Sequence, residues 1–68
     1  MSGTVIVTPW ARAAVRDGYS LRERVPDGVT LRLYADSADG PFYARLIPGK
    51  VVRSKDINEA IEIVLAER

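Results

Sequence analysis

Six residues in this chain could do chemistry: Arg22, Arg24, Arg32, Tyr34, Tyr43 and Arg45. Apart from Glu23 between Arg22 and Arg24, they alternate with apolar neighbours in the pattern of a strand face open to water. Guanidinium groups neutralise phosphates or grip carboxylates through a planar fork. Tyrosine rings stack on unpaired bases or fill the centre of a protein interface. Two partners fit such a face. One is another protein, or a second copy of the chain in a homodimer. The alternative is nucleic acid, with Arg22, Arg24, Arg32 and Arg45 on phosphates and Tyr34 and Tyr43 stacking on bases. A third reading needs no ligand: long arginine stems cover a half-buried sheet and keep their charge in water.

Catalysis is a poorer fit. With no histidine and no cysteine, neither a Ser-His-Asp nor a Cys-His arrangement can form, and the common structural zinc sites are excluded. Carboxylates, Lys50, Lys55, serines and tyrosines remain, and no phosphate-binding glycine loop, dinucleotide fingerprint or calcium loop is present. Asp36 and Asp39 flank one loop, but two carboxylates fall short of the ligand number a hard cation wants. The expectation is a non-catalytic interaction module, acting as adaptor, regulator or inhibitor, with no cofactor and no metal.

Charge supports an oriented encounter. The net charge is +1, yet nine of the ten basic residues precede Asp56 against five acids, a balance of +4. From Asp56 onward four acids face only Arg68, a balance of −3. A basic body with an acidic C-terminal segment favours directed association. At 68 residues the chain reads as one domain over residues 1–68, near the size at which one core barely offsets the entropy of ordering the backbone. No apolar run is long enough to span a bilayer, and Met1-Ser2-Gly3 lacks the character of a signal peptide, so a soluble protein in the cytoplasm is expected, with no membrane partner.

The elements that must carry the six residues follow from turn chemistry and periodicity. Val25-Pro26-Asp27-Gly28-Val29 has the composition of a three-residue hairpin loop, with proline presetting φ and glycine accepting the left-handed region. Counting outward pairs Arg24 with Thr30, Arg22 with Arg32 and Leu21 with Leu33 in a hairpin from Tyr19 to Ala35. Two like charges then face each other unless an anion lies between them. Tyr19, Leu21, Val25, Val29, Leu31, Leu33 and Ala35 should be buried, with Glu23 discordant among them.

Thr4 to Thr8 is β-branched and reads as a central strand. Thr8-Pro9 opens a short helix that Gly18 should cap, with Trp10 as a core anchor; an irregular loop over residues 9–17 is the competitor. Asp36 to Pro41 is a polar loop, Phe42 to Ile47 a third strand, and Val51 to Arg53 a short fourth one. Ser54 should cap a final helix reaching Arg68, whose apolar stripe is Ile57, Ala60, Ile61, Val64 and Leu65. Asn58, Glu59, Glu62, Ala66 and Glu67 lie outside that stripe, and Ile63 falls at its edge or on the outer face. The fold class expected is α+β: a small antiparallel meander of three to five strands, an amphipathic C-terminal helix on one face, and a short helix after the first strand.

Overall fold

A computed structural model describes residues 3–16 and 18–67, apart from the side chain of Tyr19. Expectations for Asp17, for Arg68 and for burial of the Tyr19 ring lie outside the described residues. The elements run β1 (Thr4–Val7), α1 (Pro9–Ala14), α2 (Gly18–Arg24), β2 (Thr30–Ala35), β3 (Phe42–Ile47), β4 (Val51–Ser54) and α3 (Ile57–Ala66). The class is α+β. A mixed sheet of order β1-β2-β3-β4 carries α3 on one face, and short helices join its first two strands.

β2, β3 and β4 form the antiparallel meander, in the registers Arg32↔Arg45, Tyr34↔Tyr43 and Tyr43↔Arg53. β1 departs from expectation twice. It pairs parallel with β2, Val5 beside Leu31 and Val7 beside Leu33, and it lies at the sheet edge rather than the centre. A parallel pair needs a crossover of a dozen or more residues, which α1 and α2 provide.

That crossover replaces the expected hairpin. The turn is real: the Val29 N–H donates to the Pro26 carbonyl at 3.2 Å, and Gly28 takes φ 81°. What precedes it is helix, not strand. Leu21 and Val25 are four apart, a spacing that buries both from a helical turn as well as alternation would from a strand. Leu, Arg and Glu also favour helix over strand. Arg22 is therefore not opposite Arg32, and Glu23 is exposed on α2 rather than discordant in a core.

One layer of side chains holds the fold. Leu31, Leu33, Phe42, Ala44 and Leu46 from the sheet meet Ala11 of α1, Leu21 of α2, Val25, and Ile57, Ala60, Ile61 and Val64 of α3. Each fully buried Leu or Ile contributes about 1.5–3 kcal/mol relative to exposure. Trp10 is not the anchor: it is 52% exposed, and Ala11 is buried in its place. The buried stripe of α1 is Ala11, Ala14 and the following Val15, at helical spacing, and alanine lets so short a helix sit close to the sheet.

The start of α3 lies two residues later than expected. Asp56 is the N-cap, accepting from the Asn58 N–H at 3.0 Å. Ser54 ends β4, and its hydroxyl donates to Glu59 at 3.1 Å while accepting from the Asp56 N–H at 3.2 Å. Ile63 is exposed on the outer face of α3. No helix among the described residues is long and apolar enough to cross a membrane.

Candidate functional site

Because α1, α2 and α3 all contribute to one core on one side, the other face of the sheet is left uncovered by the described residues. Strand alternation decides what it shows. Its rows across the strands are Thr4-Thr30-Ile47, then Ile6-Arg32-Arg45-Val51, then Tyr34-Tyr43-Arg53. Four of the six residues expected on the binding face are thus brought together: Arg32, Tyr34, Tyr43 and Arg45. Arg22 and Arg24 are not. They project from α2 in the helical layer, where Arg24 grips Glu62 of α3 through two bonds of 2.8 and 3.0 Å.

A like-charge opposition does exist on the sheet, between Arg32 and Arg45. The chain accommodates it by splaying the two groups. The Arg32 guanidinium leans over the Tyr34 ring at 5.0 Å, and Arg45 Nε donates to the Gly49 carbonyl at 3.1 Å. No anion between them is required. Tyr34 and Tyr43 stack at 4.9 Å between centroids with 13° between planes. With a ring against it and a guanidinium over it, Tyr34 keeps little free surface for a base. The Tyr43 hydroxyl donates to Asp36 Oδ2 at 3.1 Å. That bond to a carboxylate, aided by desolvation and by the charge of Asp36, holds the phenol above the usual tyrosine range, so the ring stays neutral at physiological pH.

Four further residues complete the face. Arg53, opposite Tyr43, adds a third guanidinium, and Ile6, Ile47 and Val51 are exposed at 51, 39 and 45%. Arg53 could have been found by carrying the Phe42 to Ile47 alternation onto Val51-Val52-Arg53. Ile6 required knowing that β1 is an edge strand. No carboxylate occupies any of the ten positions in the three rows; Asp36, beyond the end of β2, is the acid that touches the face. No group of three or more potential metal ligands occurs among the described residues. The surface can therefore bind through apolar contact and positive charge. Comparison with family models, with curated proteins and with solved structures returns no match for this chain.

Proposed function

We propose that the chain is a non-catalytic protein-interaction module whose open sheet face receives a partner surface that is apolar at its centre and acidic around it. The observation that carries this reading is the composition of the face: exposed Ile6, Ile47 and Val51 interleaved with Arg32, Arg45, Arg53 and a tyrosine pair. Arginine, tyrosine and aliphatic residues without carboxylates are what protein interfaces concentrate at their centres. Pairing this face with itself about a two-fold axis would set arginines against arginines, so the partner is a different protein.

Nucleic acid is the second reading, favoured by the same absence of carboxylates. It would use Arg32, Arg45 and Arg53 on phosphates and the outer side of Tyr43 for stacking. The exposed aliphatic residues have no role in it, and Tyr34 is already occupied by its neighbours.

Affinity capture from the native source with the parent and with the Arg32→Ser/Arg45→Ser variant tests the proposal, alongside oligonucleotide titration at low salt. The variant should keep the parent's melting transition while losing the captured protein. Oligonucleotide affinity that falls with salt and weakens in the variant would replace the first reading with the second.

A further inference from the structure

The outer edge of β1 is closed at Gly3, whose N–H donates to the Val25 carbonyl at 2.8 Å, and is left without a strand partner beyond it among the described residues, whatever the open face binds. The Thr4 N–H donates to the Val29 carbonyl at 3.1 Å and the Thr8 N–H to the Leu33 carbonyl at 3.1 Å. Bonding in a parallel ladder alternates, so Thr4, Ile6 and Thr8 turn their backbone toward β2. Val5 and Val7 turn theirs outward. β1 ends the sheet, and no strand of the described residues pairs with that outer edge. Edge strands are ordinarily blunted by a lysine, a proline or a bulge. Thr4-Val5-Ile6-Val7 has none of these, whereas the opposite edge at β4 carries Arg53 and is flanked by Lys50 and Lys55.

The same edge has a cavity beside it. Val5 and Val7 on the helical side join Val15 and Leu21 to line a space of about 330 Å³, with Arg12 and Arg22 also in its wall. Both arginines are exposed, and neither is paired with a carboxylate among the described residues. We propose that this edge accepts an extended segment of another protein as a fifth strand. The segment would place aliphatic side chains two residues apart into the cavity, with carboxylates on the same face reaching Arg12 and Arg22. Backbone bonds to Val5 and Val7 supply affinity, and the cavity and the arginines supply selectivity. A second copy is the poorer occupant, because β1 paired with β1 about a two-fold axis would bring both copies' Arg12 and Arg22 to one seam.

The probe is the blocked peptide Asp-Thr-Val-Thr-Val-Thr-Asp, titrated into the full chain at low salt and followed by amide NMR. Saturable shifts should centre on Val5, Ile6, Val7 and Val15, and the Val5 and Val7 amides should become protected from exchange. N-methylation of the three central residues of the peptide, Val-Thr-Val, should abolish binding whichever way the strand runs, since it removes strand pairing and leaves the charge. Arg12→Ser/Arg22→Ser should weaken it by about tenfold or more at an unchanged melting temperature. The proposal is overturned by no shifts at roughly millimolar peptide, by equal binding of the N-methylated peptide, or by shifts centred on Arg32, Tyr43 and Arg45. Concentration-dependent protection of Val5 and Val7 without peptide would also overturn it, in favour of self-pairing.

Discussion

Asn58 shows how much one side chain can join. Read from periodicity it belongs on the outer face of the C-terminal helix. In the structure its Oδ1 accepts the Arg16 N–H at 3.0 Å and its Nδ2 donates to the Ala14 carbonyl at 3.1 Å, tying the end of α1 to the start of α3. Asn58→Ala leaves both backbone groups without that partner and should cost about 1–2 kcal/mol, roughly 4–16 °C in melting temperature for a domain of this size. Unchanged melting would contradict this contact. Glu62 makes a pH-dependent contribution. The Arg24 guanidinium bonds to its carboxylate and holds the pKa below the ordinary glutamate value. A depressed folded pKa stabilises above the unfolded value, and that contribution disappears as pH falls through the folded one. Because the pair is exposed, the effect is small. The difference in melting temperature between the parent and Glu62→Gln should therefore be present at neutral pH and close below about pH 4. A difference that widened in acid would refute the assignment.

Among the elements, those whose periodicity admits a single reading were legible from sequence. Phe42 to Ile47 alternates without ambiguity and is β3 to the residue, and Ile57, Ala60, Ile61 and Val64 are buried from α3 as their spacing requires. The segment from Tyr19 to Val25 was not legible, because Leu21 and Val25 satisfy both a strand face and a helical turn, and the turn at Pro26 to Val29 is compatible with either element before it. Helix propensity was the signal that separated them. The edge position of β1 was hidden for a different reason: its parallel partner is fixed by a crossover in space, which no local pattern encodes. For the binding face the consequence was specific. Alternation locates the residues on β2 and β3, a strand reading of Tyr19 to Val25 misplaces those on α2, and neither reading takes in Arg53 or the exposed aliphatic residues. The packing itself is testable at Ile61, which is 3% exposed. Ile61→Asp places an unpaired charge in a core whose whole net stability is about 3–10 kcal/mol, so no cooperative melt should remain. A transition near the parent's would contradict the position of α3.

At the scale of the molecule, the separation of charge seen along the sequence becomes partly a separation between layers. Arg32, Arg45 and Arg53 lie on the open sheet, and Glu59, Glu62 and Glu67 lie on or beside α3 in the helical layer. Arg12, Arg22 and Arg24 remain on α1 and α2 in the helical layer, and an acidic partner of the proposed kind should meet the chain more slowly as salt rises. The proposed partner is a protein that meets the sheet rather than the helices. Site-specific photo-crosslinking in the native source tests both parts at once, with a benzophenone side chain placed at exposed Ile47 on the sheet or at exposed Glu67 beside α3. Position 47 should give an adduct that protease removes and nuclease does not, and position 67 little or none. A nuclease-sensitive adduct, or equal crosslinking from the two positions, would contradict it.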